Sequence, residues 1–452
     1  MTTALSKRSD ARSGTVRIVG ALVGFSAAIV SVHWPEALGS APSPSTMLIV
    51  VALAIAFIHA GRESARLVLG PFDFAMITLI FIRAVVEIFN ASDLGHSVAT
   101  GAMTTLVLLY LSTFPARLVI RSRQDFRTFC FYLALPAILV AIVAVLQLIR
   151  FPGVMEWILQ NVSVGGLQNR VDAGRDDLRA TSTIGHWTSL GGYLCVATAL
   201  FCLEILMSRG EKGLGRRGIA VVGIVVLFVG QVSTLTFGTI AVCAAVILVT
   251  ILRLKVNPLY LVVAAGGGLI AWQIFGSSIE QRLEDQAVVS RYTDESLRWL
   301  PSTVAYRVRI WQTETIPAIE QRPLTGWGQQ TYTFPDNWSV FPSMLVWNSP
   351  ESQWLGLIVR GGLVDLAAFL GLLVAMFIVL RRARRVIGTA TTPLTVVLVG
   401  LLVTCLINSP FSTNGVPQIW WPILGALLAL ASPRLGEKSA IASPTSERIQ
   451  TL

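Results

Sequence analysis

Residues 128–149 read TFCFYLALPAILVAIVAVLQLI, an uncharged run closed by Arg127 on one side and Arg150 on the other. A helix rises about 1.5 Å per residue, so a run of this length spans the roughly 30 Å of bilayer hydrocarbon. Working outward, comparable runs fall near 15–33, 45–60, 71–89, 98–115 and 187–207. A second set follows near 218–234, 236–254, 257–275, 353–380, 391–408 and 417–432. Backbone groups in hydrocarbon must be satisfied within their own segment, so each run is expected to be helical. The expectation is an all-α polytopic membrane protein with about twelve transmembrane helices. Composition agrees: 54% of residues are hydrophobic and 13% charged, where soluble domains carry about a quarter charged.

Orientation follows from the basic residues in the short loops. Lys7, Arg8 and Arg12 precede the first span, and alternate loops carry Arg62 and Arg66, then Arg117, Arg121, Arg123 and Arg127, then Arg209, Lys212, Arg216 and Arg217. Arg253 and Lys255 follow, then Arg381, Arg382, Arg384 and Arg385, and last Arg434 and Lys438. The intervening short loops 34–44, 90–97 and 409–416 contain neither Lys nor Arg. Both termini are therefore expected on the cytoplasmic side of the inner membrane. The net charge of +10 is mostly this topology signal. No basic soluble face suggests nucleic acid as a partner. Five cysteines, all inside apolar runs and without metal-ligand spacing, read as small packing residues. The first apolar stretch lacks a small-residue cleavage site, and the polar tail 433–452 reads as disordered.

This divides the chain into a cytoplasmic segment 1–14, helices over 15–275 with an outer loop at 150–186, a large extracytoplasmic loop 276–352, three helices over 353–432 and the tail 433–452. The two outer loops are unusual. Loop 150–186 holds Arg150, Arg170, Arg175 and Arg179 with Asp172, Asp176, Asp177 and His186. Loop 276–352 holds Arg282, Arg291, Arg298, Arg307, Arg309 and Arg322 and five of the twelve Trp. Neither contains Lys. Arginine is the better fork for diphosphate oxygens and keeps its charge when partly desolvated, although long outer loops also escape the positive-inside bias. Pro301-Ser302 predicts a helix start, with Val304, Val308, Trp311, Thr315 and Ile319 on one face and a bend or end at Pro317. Arg307 and Arg309, two apart, point to nearly opposite sides, so only one easily faces a common site. Pro323-Leu-Thr-Gly-Trp-Gly328 reads as a turn.

The strings Arg307-Val-Arg-Ile-Trp311, Pro323-Leu-Thr-Gly-Trp-Gly328 and Glu351-Ser-Gln-Trp-Leu-Gly-Leu-Ile-Val-Arg-Gly-Gly362 resemble, in order and spacing, the O-antigen ligase and Wzy-type polymerase superfamily. Arg179-Ala-Thr-Ser-Thr-Ile-Gly-His-Trp-Thr-Ser-Leu-Gly-Gly-Tyr193 resembles that family's arginine-bearing segment leading into a helix. The resemblance covers roughly 150–380. It implies a GT-C-like bundle with a large helical loop between helices 9 and 10. It also implies transfer, with inversion, of a glycan from a polyprenyl-diphosphate carrier to an acceptor hydroxyl. Two departures stand out. Glu351 occupies the position where many members have His, and Gln231-Val-Ser-Thr-Leu-Thr-Phe-Gly238 lacks the arginine often found there.

Such chemistry needs a base for the acceptor proton and cations for the departing diphosphate. Glu351 is the candidate base, with His186 as a second candidate. Arg179, Arg307, Arg309 and Arg360 are candidate diphosphate ligands, and Trp311 and Trp327 candidate sugar platforms. No cofactor and no metal are expected, and Asp176-Asp177 is an isolated acidic pair. The expected partners are the lipid-linked glycan donor, a glycan or lipid acceptor and membrane lipids. Each assignment has a plainer counterpart: a surface ion pair, a helix-start carboxylate or histidine, an interfacial indole. Arg83 and Glu87, four apart in the third span, read first as an intramembrane ion pair, and Asp365 raises the same question. A secondary transporter or lipid-linked glycan flippase is the alternative. Transporters of this size usually show two related halves, which are not visible here. A non-catalytic envelope scaffold is a third reading, which would not require the Arg and Glu constellation.

Overall fold

The structure, a computed structural model, describes residues 2–34, 41–62, 69–94, 100–174, 178–209, 215–254, 299–329 and 349–432, with scattered positions between them. Most of the expected span 257–275 lies outside the described residues, as do Arg175, Asp176, Asp177, Arg282, Arg291, Arg298, Trp338, Trp347 and the tail 433–452.

The described residues are helical apart from loops and one isolated bridge between Val32 and Val162. The first half comprises α1 (Thr2–Ala28), α2 (Pro44–Arg62), α3 (Pro71–Leu94), α4 (Thr100–Leu111), α5 (Phe114–Val119), α6 (Arg123–Ala134) and α7 (Ala137–Leu148). Two short helices, α8 (Val154–Asn161) and α9 (Gly165–Asp172), lie in the connection 150–186. Next come α10 (Trp187–Met207), α11 (Gly215–Ser233) and α12 (Phe237–Leu254). Later in the chain, α13 (Ser302–Ile310) and α14 (Ile316–Gln321) precede α15 (Gln353–Ile387), α16 (Thr392–Thr404) and α17 (Val416–Leu430).

Seven helical stretches among the described residues are long and apolar enough to cross a membrane, and Gln353–Thr404 contains two of the expected spans. The runs near 15–33 and 417–432 form shorter apolar helices, Ser13–Ala28 and Val416–Leu430. The run 71–89 becomes α3, which carries Asp73, Arg83 and Glu87. Those charges are tolerated because α3 is sided. Phe74, Ile77, Phe81, Val85 and Ile88 are exposed on one face, while Asp73, Met76, Glu87 and Asn90 are buried on the other. At helical spacing this is an inverted amphipathic helix whose apolar face suits lipid.

Local chemistry sets the element ends. Ser122 caps α6 by accepting from the Asp125 N–H at 3.0 Å, and Pro136 divides α6 from α7. His186 caps α10, its Nδ1 accepting from the Thr188 N–H. The core is continuous through α1, α6, α10, α15 and α17, with Trp420, Tyr193, Phe126, Phe129 and Phe201 among its fully buried side chains. All five cysteines are buried and free, as small packing residues should be.

Buried ion pairs tie the basic loops to the bundle. Arg117 grips Asp73 with two hydrogen bonds of 2.6 and 3.1 Å, and Tyr110 donates to the same carboxylate. Arg127 grips Glu204 at 2.8 and 3.0 Å, with Arg216 3.3 Å away. Some arginines that mark the loops as basic therefore also neutralise buried carboxylates. One expected pair is corrected. Arg83 bonds Asp365 of α15 at 2.7 Å, not Glu87, whose carboxylate accepts the Gln329 N–H at 2.6 Å. An across-helix partner wins because α3 packs against α15 and buries both carboxylates in that contact.

Candidate active site

The site is built around the start of α15. Helix α13 runs into a π-turn, Trp311–Thr315, and continues as α14. The expected bend at Pro317 is thus a widened turn and not a break. Proline removes one donor and crowds the carbonyl four residues back, and a π-turn just before it relieves both. The buried positions on this rod are Ala305, Ile310, Thr315 and Ala318; of the predicted face Val304, Val308, Trp311, Thr315 and Ile319, Thr315 alone is among them.

On this rod Arg307 is half-buried and Arg309 exposed, the opposition that their spacing requires. The Arg307 guanidinium forms an ion pair with Glu351 and donates to the Thr303 carbonyl at 2.8 Å. The neighbouring Trp311 indole donates to the Pro350 carbonyl at 2.7 Å. Two contacts one turn apart therefore fix residues 350–351. Glu351 has φ +47°, a left-handed backbone rare for a residue with a side chain. Its side chain remains 31% exposed, so a ligand can reach it. Glu351 precedes Ser352, the N-cap, and so stands outside the first turn of α15. Burial and the carboxylates of Glu351 and Glu314 push the nearby Tyr306 phenol well above its ordinary range. The start of α15 is held from the far side as well. The Gln353 N–H bonds the Cys405 and Asn408 carbonyls, and Gln353 Nε2 donates to Ser412 at 2.7 Å.

Below this point, two sequence motifs interlock. Gly362 breaks α15 with φ +68° and ψ −170°, and the Pro323–Gly328 turn fills the break. The Trp327 and Gly328 N–H groups bond the Val359 and Arg360 carbonyls at 2.8 and 2.9 Å. In return, the Leu363 N–H bonds the Pro323 carbonyl at 2.8 Å. A Cβ on Gly326 would lie 2.6 Å from the Val359 oxygen, so both glycines are needed for the close approach. Trp327 is 9% exposed, donates to the Ala318 carbonyl and is covered by the Arg322 guanidinium. Its ring is thus mostly engaged in packing. Arg360 is half-buried, its backbone engaged by the turn.

A second cluster comes from the strap 178–186, which is buried although it is mostly not regular helix. Gln147 satisfies it, accepting the Thr181 and Ser182 N–H groups. Arg179 is 8% exposed. Its guanidinium donates to the Thr234 and Leu235 carbonyls and to Thr236 Oγ1 at 3.0, 3.3 and 2.6 Å. The 231–238 segment, which lacks an arginine of its own, thus receives one in space. The Arg170 and Arg179 guanidinium carbons lie over the Trp187 ring, 4.9 and 4.7 Å from its centroid. His186 packs on that indole. Burial, with Arg179 and Arg170 alongside, pulls its imidazole down to about 4. It is therefore neutral near pH 7 and able to accept a proton only weakly.

Residues 218–370 match the sequence model of the O-Antigen ligase family, Wzy_C. The match covers about a third of the chain and supports the resemblance to the O-antigen ligase superfamily. No curated protein matches the chain. The matched region contains Arg307, Arg309, Trp311, Trp327, Glu351 and Arg360, whereas Arg179 and His186 lie N-terminal to it. Through Arg179, the strap nevertheless grips the turn between α11 and α12, inside the matched region.

Proposed function

We propose that the chain is an O-antigen ligase-like glycosyltransferase at the outer face of the cytoplasmic membrane, moving a polyprenyl-diphosphate-linked glycan onto an acceptor hydroxyl with inversion and without a metal. The observation that carries the reading is the Arg307–Glu351 ion pair at the start of α15, within the matched region. The pair holds the two chemical groups such a transfer needs, and in the resting protein they occupy one another.

The donor's diphosphate competes with Glu351 for Arg307, because a guanidinium makes paired, charge-assisted hydrogen bonds to phosphate oxygens. Once Arg307 turns to the diphosphate, the carboxylate is released beside the reacting sugar. Glu351 then takes the acceptor O–H proton as the acceptor oxygen bonds the anomeric carbon. The bond from that carbon to the diphosphate oxygen breaks, and its electron pair leaves on the diphosphate. Arg307 neutralises the developing charge. Trp311 holds Pro350 and with it the position of the base, and its exposed edge offers a sugar platform. Arg309 and Arg360 serve as peripheral cations. Arg179, buried with its guanidinium donating to residues 234–236, keeps the α11–α12 turn in place beneath the site. His186, with its lowered proton affinity, is a helix cap and not the base.

The test is purified full-length protein in nanodiscs with polyprenyl-diphosphate-linked oligosaccharide and acceptor. Glu351→Gln and Arg307→Ala should each lower transfer by about 100-fold or more. Full transfer by both variants would sink the proposal.

A further inference from the structure

The end of α15 far from Glu351 reads Arg381-Arg382-Ala383-Arg384-Arg385. All four arginines are exposed, and Ala383 between them is buried. At 3.6 residues per turn the four spread over an arc of about 160° opposite Ala383. Among the described residues, none of them makes a side-chain hydrogen bond or an ion pair. The sequence supplies no carboxylate from Leu366 to Gly436. On α3, which packs along α15, Asp73 is held by Arg117, Glu87 accepts the Gln329 N–H and Asp93 pairs with Arg322.

Other arginines of the basic connections are used differently. Arg117, Arg127 and Arg216 neutralise buried carboxylates. Arg121 and Arg209 donate to backbone carbonyls. Arg62, Arg123 and Arg253 are exposed, but no second exposed arginine stands within four residues of any of them among the described residues. A helix dipole favours cations in the last turn, where Arg384 and Arg385 stand. Its effect fades before Arg381 and Arg382.

The face above the arginines decides what meets them. Leu363, Val364, Leu370, Val374, Phe377 and Ile378 are exposed along α15 at helical spacing. They form one apolar stripe about 22 Å long, within the roughly 30 Å of bilayer hydrocarbon. Arg381, Arg382 and Arg385 follow Phe377, Ile378 and one another at steps of three and four residues, so they continue the same stripe. Lipids whose tails cover the stripe therefore bring their headgroups to these guanidinium groups, which make paired, charge-assisted bonds to phosphate oxygens. A zwitterionic headgroup carries its own cation, whereas an anionic one leaves its charge for the arginines. A soluble acidic protein would reach them only from beyond the helix end, after displacing those headgroups.

We infer that Arg381, Arg382 and Arg385, with Arg384 at their edge, form a binding surface for the headgroups of anionic phospholipids.

The experiment takes the full chain in detergent micelles holding equal amounts of phosphatidylglycerol and phosphatidylcholine with identical tails, and counts the retained lipids by native mass spectrometry. Wild type should retain phosphatidylglycerol over phosphatidylcholine by about tenfold or more, since one arginine at an anionic surface contributes about fivefold. The combined variant Arg381→Gln, Arg382→Gln, Arg385→Gln should bring the ratio below about twofold, and Arg382→Gln alone should give an intermediate ratio. The combined variant Arg62→Gln, Arg123→Gln, Arg253→Gln loses the same charge elsewhere and should keep the wild-type ratio. Equal retention of the two lipids by wild type would overturn the surface, as would a ratio that survives the clustered substitutions or is lost equally with the scattered ones. Binding of hexaglutamate by a wild type without lipid preference would make an acidic protein the occupant instead. None of these outcomes touches the transferase reading, because about 40 Å of helix separates Arg381 from Gln353.

Discussion

A Cβ placed on Gly362 would lie 1.9 Å from the carbonyl oxygen of Leu324. The break in α15 and the turn that fills it are therefore a single interlocked unit. Gly362→Ala must either push the turn out or straighten the helix. Overpacking costs about 1–3 kcal/mol, and a left-handed backbone adds about 1–2 kcal/mol for a residue with a side chain. Thermal unfolding in detergent should show a clear loss of stability together with lost transfer. Gly371→Ala, nine residues along the same helix with nothing near its Cβ, should be neutral or stabilising by up to about 1 kcal/mol.

Glu351 holds a left-handed backbone, and asparagine tolerates that conformation better than glutamate. Its ion pair is partly exposed and worth about 1 kcal/mol or less. Glu351→Asn should therefore leave the unfolding midpoint unchanged or raise it slightly while transfer is lost. A fall of many degrees would mark Glu351 as a structural prop.

The lowered proton affinity of His186 has a thermodynamic consequence. Its folded value near 4 lies below the ordinary value of 6.5, so between these values the unfolded chain binds more protons. This contribution is complete above about pH 6.5 and is lost as pH falls towards 4. Wild type should lose on the order of a few degrees of thermal midpoint between pH 7.5 and 4.5 through this group. His186→Gln should show a smaller drop. Identical pH profiles for the two proteins would count against a buried neutral imidazole.

Glu204 is buried and holds both Arg127 and Arg216. Glu204→Ala leaves Arg127 buried without that carboxylate, and breaking such a pair costs about 3–5 kcal/mol. Fluorescence-detected size exclusion should show little folded protein. Glu204→Gln, which keeps hydrogen-bond acceptors, should be recovered in larger amount and retain transfer.

The helical membrane class was legible in the sequence because a run such as 128–149 has few alternatives. The juxtaposition of Arg307 and Glu351 was legible only as a pair of candidates, since 44 residues separate them and no local pattern encodes their contact. The opposition of Arg307 and Arg309 followed from helical geometry alone. Arg83 illustrates the limit. Spacing of four suggested Glu87, but the true partner, Asp365, lies 282 residues away. The π-turn was hidden for a different reason: Pro317 signals a disturbance, and whether the helix stops or widens depends on packing. A signal for Arg179's role was present in the missing arginine of 231–238, had the two segments been considered neighbours.

Helix α10 is almost wholly enclosed, with 94% of its spanning window buried. Of its neighbours, α6, α7 and the strap residues Ser182–Ile184 precede it in the chain, whereas α11, α12, α16 and α17 follow. During synthesis α10 thus emerges before most of its surroundings exist, with lipid against surfaces that later meet protein. Arg127 is already made when Glu204 appears, so a partner cation for this carboxylate exists before α11 and its Arg216 follow. The remainder of the enclosure is completed from the C-terminal side, and premature termination before α16 would leave the bundle's central helix still wrapped in lipid.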